Sequence, residues 1–307
     1  MVVSPGSADD APRVAALYRA TFDDRLSTVA GIRYRQTSAS PEDKQRFWGA
    51  EEDGELIGWA FGGLEPFASV RTTAFASVVV HPDHRRVGVG SALWDAVSAH
   101  LDAIGARRIV AYSRADDDSV AFVGGRGFKL ESTDTTSAVD PRALPEPPDL
   151  PPGVAVIPMA HYADDLAPVF EADKASAADE PGPSDFGGVT FESWRRLIWD
   201  WPDCDHDLSV AATSDGVVVG TSFLYSDRET GRAMNAGTGV IRTFRGRGLG
   251  LLMKQHSLAL AAAAGITKVI TQNDETNAPM LAINAKLGYE PLAVGHAWVL
   301  ERQSEVP

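Results

Sequence analysis

The feature that most constrains this chain is an internal repeat. Val80-His81-Pro82-Asp83-His84-Arg85-Arg86-Val87-Gly88-Val89-Gly90 aligns without a gap with Val240-Ile241-Arg242-Thr243-Phe244-Arg245-Gly246-Arg247-Gly248-Leu249-Gly250, so Val80, Arg85, Gly88 and Gly90 each recur 160 residues later. Gly105 ahead of Ile109-Val110-Ala111 recurs as Gly265 ahead of Val269-Ile270-Thr271, and Gly127-Phe128 recurs as Gly288-Tyr289. Asp53-Gly54 with Gly58 recurs as Asp215-Gly216 with Gly220. Chance supplies one such pair, not a set in constant order and near-constant spacing, so a duplicated unit governs every other assignment. The 307 residues leave room for two cores of about 150 residues each. The expected division is 1–140, a linker over 141–153 and 154–307, because Pro141, Pro145, Pro147, Pro148, Pro151 and Pro152 remove backbone donors and hold the segment extended.

Each copy reads as mixed α/β. Val2-Val3 suits a short strand, and Asp9-Asp10 before Ala11-Pro12 is an N-cap followed by an early proline. Asp53-Gly54 and Asp215-Gly216 are hairpin turns between apolar runs. A β-branched strand, Ala76-Ser77-Val78-Val79-Val80, enters the Arg/Gly loop, and a helix leaves it. Its buried stripe is expected at Leu93, Val97 and Leu101, and in the second copy at Leu249, Leu252, Met253, His256 and Leu260. Middle strands joined by tight turns call for a mostly antiparallel sheet flanked by helices, not a doubly wound parallel one.

Glycines between a strand and a helix let backbone N–H groups approach a ligand, and the helix N-terminus adds partial positive charge. Arg85-x-x-Gly88-x-Gly90 and Arg245-x-x-Gly248-x-Gly250 therefore suit a pyrophosphate. Neither loop reads G-x-x-x-x-G-K-S/T, and neither completes G-x-G-x-x-G, since Leu93 and Leu251 occupy the wrong places for a third glycine. The pattern resembles that of the GCN5-related N-acetyltransferase family, whose signature is Arg/Gln-x-x-Gly-x-Gly/Ala directly after a valine-rich strand. Asn277 through Tyr289 is similar to that family's C-terminal asparagine, helix and Gly-aromatic element. The resemblance covers the chain twice, as in tandem-domain members.

That resemblance implies two domains, each with a splayed strand pair for acyl-CoA. The pantetheine arm would lie along Val78, Val79 and Val80 in one copy and Thr238, Gly239 and Val240 in the other. The pyrophosphate would sit on the N–H groups of Arg85, Arg86, Val87, Gly88, Val89, Gly90 and Ser91, or of Arg245, Gly246, Arg247, Gly248, Leu249, Gly250 and Leu251. Asn277 and Asn284 would complete the second site. Acetyl-CoA would be the acyl donor, with no metal, and a small-molecule primary amine would attack the thioester directly while a strand N–H receives the oxyanion. Many members place a tyrosine five residues before the aromatic of the Gly-aromatic pair, as the acid for the leaving thiolate. Here those positions hold Val123 and Asn284. Asp116 stands where the second copy has Asn277, which favours the second copy as the working site. A non-catalytic acyl-CoA-binding module and a peptide acceptor are the alternatives.

Other residues are less telling. Tyr225, on the strand after the second hairpin, is a candidate base or an ordinary strand tyrosine; Asp205 and His206 are weaker ones. Trp194, Trp199 and Trp201 either pack a core or line an acceptor pocket. His81 and His84 lack a carboxylate or thiol to complete a metal set. Asp116-Asp117-Asp118 suits a solvated turn. Cys204, the single cysteine, permits no intrachain disulfide and is not needed as a nucleophile. The net charge of −14 excludes nucleic acid as a default partner; it is either a solvated acidic surface or a field that also draws in a cationic amine. No apolar run reaches about 18 residues, so no membrane partner is expected. A cytoplasmic monomer or homodimer is the expectation.

Overall fold

The computed structural model describes residues 1–178 and 186–302. The chain opens with β1 (Val2–Pro5), α1 (Ala11–Thr21) and α2 (Val29–Thr37). Asp10 does not cap α1 with its side chain; its carboxylate instead closes a capping box with Ser7 around the short 3-10 turn before the helix. Then β2 (Arg46–Glu52) and β3 (Glu55–Leu64) meet at Asp53-Gly54, whose φ values of 50° and 85° are those of a two-residue hairpin turn. β4 (Thr73–Val80), α3 (Val89–Ala103), β5 (Arg108–Arg114), α4 (Asp117–Gly124) and β6 (Lys129–Val139) follow. The second half repeats this with β7 (Val154–Pro158), α5 (Ala167–Ala177), the single turn α6 (Phe191–Trp194), β8 (Val210–Ser214) and β9 (Val217–Asp227). It ends with β10 (Arg232–Val240), α7 (Leu249–Ala263), β11 (Lys268–Asp274), α8 (Ala278–Lys286) and β12 (Glu290–Glu301).

Two compact units result, and they cut across the halves of the sequence. Unit 1 comprises described residues 1–133, 186–189 and 295–302; unit 2 comprises 134–178 and 190–294. In unit 1, β5 pairs antiparallel with Gly295–Glu301 of β12, from the chain's far end. In unit 2, β11 pairs antiparallel with the 134–139 stretch of β6. Each sheet thus takes its last strand from the opposite half of the sequence.

Within unit 1, Leu93, Val97 and Leu101 of α3 are fully buried against Ala60, Ala74 and Ile109. Burying each such side chain contributes roughly 1.5–3 kcal/mol. In unit 2, α7 buries Leu249 and Met253 as the periodicity predicts, but Leu252 and Leu260 are half-buried, while Lys254 and Ser257 are buried instead. Gly105 and Gly265, with φ of 77° and 84°, end α3 and α7 in the left-handed conformation.

The parallel pairing between β4 and β5 is short, running from Thr73↔Arg108 to Ala76↔Ala111. In unit 2, β10 and β11 pair only from Arg232↔Lys268 to Asn235↔Thr271. Beyond those points residues 77–80 and 237–240 stay bonded to β3 and β9 but leave β5 and β11. A wedge opens in each sheet where the Arg/Gly loop begins. Unit 2 adds a bulge between Asn235 and Gly237, at the point of divergence; the β3–β4 register of unit 1 runs on without a shift.

Candidate active site

The two Arg/Gly loops have the same backbone logic. Gly88 (φ 93°) and Gly248 (φ 79°) are the N-caps of α3 and α7, and neither helix start receives a side-chain cap. Among the described residues, the N–H groups of Arg86–Ser91 and of 246–251 find no acceptor. Unsatisfied helix-start donors, with the helix dipole behind them, form an anion cradle. The space a Cβ would fill at Gly88, Gly246 and Gly248 is open, whereas at Gly90 it would lie 2.9 Å from the Phe122 ring. Arg85 and Arg245 brace their loops by donating from Nε to the Val80 and Val240 carbonyls. Val89 and Leu249 bury their side chains in the core, so only their backbone faces the cradle.

In unit 1 the wedge is a cleft of about 490 Å³, lined by Val78, Val79, Val80, Arg85, Arg86, Gly88, Gly90 and Ser91 on one side. Trp94, Ser113, Val123, Phe128, Thr21, Phe22 and Arg25 also line it. Its size suits a cofactor-like ligand. Arg86 is held by Asp118 at 2.6 Å. Asp116 caps α4 by accepting from the Ser119 N–H, as Asn277 caps α8 by accepting from that of Met280. The two residues thus do equivalent structural work despite their different charge.

Unit 2 arranges polar groups around its bulge. The Asn235 amide donates to Ser222 Oγ and to the Phe223 carbonyl, and Thr238 donates to Asn235 Oδ1. Ser222 and Thr238 share a further hydrogen bond at 2.8 Å. This network fixes the bulge, a device that re-aims backbone groups beside active sites. Gly239 is required by packing, since a Cβ there would collide with Ser176 of α5. On that α5 face, Asp173 accepts from Trp194 Nε1 and from Thr221 Oγ1, each at 2.9 Å. Burial pushes its carboxyl up against the pull of those two donors. Nothing in the sequence singled out Asp173; Thr221 and Trp194 lie 48 and 21 residues away.

The remaining candidates scatter. Tyr225 stands opposite Met234, in the half of β10 that is still paired with β11, and bridges to Cys204. Trp194 and Trp199 are core residues, and the His206 ring stacks on Trp199 at 4.1 Å. Asp205 accepts from Ser226 and from Nε and Nη2 of Arg228. Burial opposes its charge, but those donors hold the carboxyl below its ordinary range. Burial pushes the Cys204 thiol up to about 12, so it is no thiolate at neutral pH.

The group that sequence reading missed most completely is Lys254, 1% exposed on the inner face of α7. Its Nζ donates to Asn284 Oδ1 at 2.7 Å, and Asn284 Nδ2 donates to Asn273 Oδ1 at 2.6 Å. Nζ also lies 4.8 Å from the centre of the Tyr289 ring. Burial lowers this ammonium to about 7.

The sequence profile described as the acetyltransferase (GNAT) family matches residues 12–128 and again 177–289. A protein of Kineococcus radiotolerans named mycothiol acetyltransferase is 29% identical over 299 residues, spanning 94% of this chain and 92% of its own length. One of the same name from Clavibacter michiganensis is 30% identical over 259 residues, spanning 79% and 76%. Among solved structures, a tandem GNAT protein from the clavulanic acid biosynthesis pathway superposes with a TM-score of 0.74 at 22% identity, covering 99% of both chains. A GCN5-related N-acetyltransferase from Sphaerobacter thermophilus superposes at 0.72 and 19% identity, covering 98% and 95%. These last two show a shared fold.

Proposed function

This chain belongs to the acetyltransferase (GNAT) family and is an acetyl-CoA-dependent acetyltransferase of a small-molecule amine, and from that premise we propose that the transfer takes place in unit 2, on a mycothiol-related amine. The observation that carries the assignment is the bulge at 235–237, placed where β10 leaves β11 and absent from unit 1. The acceptor is named from relatives alone.

The residues present fit acetyl-CoA. The N–H groups of 246–251 would hold the pyrophosphate, and the free edge of 237–240 would bond the pantetheine amides. When bound, the thioester supplies an activated acetyl carbon. The chain's own part is to position that carbon at the bulge, where a backbone donor meets the developing oxyanion, and to exclude water. Asp173, on the α5 face beside Trp194 and Thr221, would face the acceptor amine. Tyr225 on the same strand as Thr221 is the second polar group of that face. Unit 1, with its apolar Val123 and unbroken β4, would hold acyl-CoA without transfer.

The test is thiol release from acetyl-CoA across mycothiol-related amines, amino sugars and basic peptides. Acetylation of a mycothiol-related amine supports the reading. CoA binding with no thiol release for any amine would make the protein a binding module, and release with peptides alone would move the acceptor class.

A further inference from the structure

From the Arg/Gly loop onward, the repeat allows positions of the second copy to be compared with counterparts 160 or 161 residues earlier. Three side chains that line the cleft of unit 1, Trp94, Ser113 and Val123, correspond to Lys254, Asn273 and Asn284. In unit 1, Trp94 meets Phe128 edge to face at 5.4 Å; in unit 2, Lys254 stands over Tyr289, the counterpart of Phe128. The apolar Trp94 and Val123 and the polar Ser113 of one copy are replaced in the other by a hydrogen-bonded Lys-Asn-Asn chain. Asn273 lies on the half of β11 that has parted from β10, so this end of the chain borders the wedge.

Lys254 Nζ donates to the amide oxygen of Asn284, as an ammonium must, which turns the amide nitrogen to Asn273. One hydrogen on Asn284 Nδ2 is left over, without an acceptor among the described residues. Resting on the assignment of acyl transfer to unit 2, we propose that Lys254 is a positioning residue for the leaving group: it locks and polarises the Asn284 amide, whose spare N–H faces the departing CoA sulfur. Asn284 occupies the sequence position at which the resemblance led us to expect a phenolic acid.

The step balances without a protein acid. The acceptor nitrogen forms the new C–N bond, the C–S bond breaks, and its electron pair goes to sulfur. Sulfur departs as thiolate, stabilised by the Asn284 N–H with the ammonium behind it, and takes a proton from water after release. The proton on the attacking nitrogen goes to solvent. The groups facing Lys254 are Asn284, itself bonded to Asn273, and the Tyr289 ring; no carboxylate of the described residues acts on it.

The experiment uses CoA itself in the full-length Gly88→Val protein, which silences the cradle of unit 1. Calorimetry reports whether CoA binds, and ultraviolet absorbance of the thiolate reports the titration of its bound thiol. With Lys254 present, the bound thiol should titrate about one pH unit or more below free CoA, a tenfold preference for thiolate. Lys254→Met should abolish that preference and slow kcat about 100-fold, with the KM for acetyl-CoA changed less than about twofold. Asn284→Asp keeps Lys254 paired but removes the N–H, and should abolish the preference likewise. CoA bound with a thiol that titrates as in free CoA, or equally in all variants, overturns the role of Lys254 alone. No CoA binding in Gly88→Val overturns the assignment of unit 2, and this inference with it.

Discussion

Replacing Lys254 by methionine should make the protein more stable in acid and slightly less stable in alkali. The ammonium is buried with no carboxylate partner among the described residues, and burial lowers it from 10.5 to about 7. That difference is worth about 5 kcal/mol, at roughly 1.4 kcal/mol per pH unit. The unfolded chain keeps the proton up to its ordinary value, the folded one only to about 7, so between those values stability rises with pH. Below about 7 the full penalty applies; above about 10.5 it has gone. Methionine matches the length of the side chain but leaves Asn284 Oδ1 without its donor, a cost of about 1–3 kcal/mol. The net gain is about 3 kcal/mol near pH 6 and becomes a net loss of about 1 kcal/mol at pH 10. Denaturant titrations of both proteins at the two pH values read this directly. A difference independent of pH, or a loss of stability at pH 6, would refute the idea that Lys254 is a charge held in the interior at a cost.

Gly248→Val forces a β-branched residue to a φ of 79°, a strain of about 1–2 kcal/mol, and its side chain fills the cradle; calorimetry should show acetyl-CoA binding to unit 2 lost and transfer abolished. Gly88→Val should remove one bound equivalent while transfer persists, and the reverse pattern would exchange the roles of the units. Gly90→Ala puts a Cβ 2.9 Å from Phe122 and Gly250→Ala one 3.3 Å from Ile283, so thermal melts should show the first losing about 1–3 kcal/mol and the second less. Cys204, with its thiol at about 12, should resist alkylation in the native protein near pH 8 and react only on unfolding, as mass spectrometry would register.

The repeat made much of the fold readable, because its markers sit where local geometry admits few residues. Asp53-Gly54, Asp215-Gly216, Gly88 and Gly248 occupy positive φ, and the helices between them begin and end where the glycines say. Partner choice was not readable. Nothing local in 129–139 or 290–301 tells a strand which sheet it completes, so the exchange of last strands emerged only from the structure. The polar interior escaped for the same reason: apolar periodicity favoured Leu252 over Lys254, since the group that makes a buried lysine tolerable, Asn284, is 30 residues away. Asp173 was hidden likewise. A signal was nonetheless present, since setting Trp94 beside Lys254 and Val123 beside Asn284 across the repeat marks the difference between the units.

The central claim is acetyl transfer to a small-molecule amine in unit 2. The most direct test incubates the protein, Gly88→Val and Gly248→Val with acetyl-CoA and mycothiol-related amines, following thiol release and the mass of the acceptor. Acetylated amine from the unaltered protein and Gly88→Val, and none from Gly248→Val, is the predicted result. Acetylation that survives Gly248→Val and disappears with Gly88→Val would contradict it.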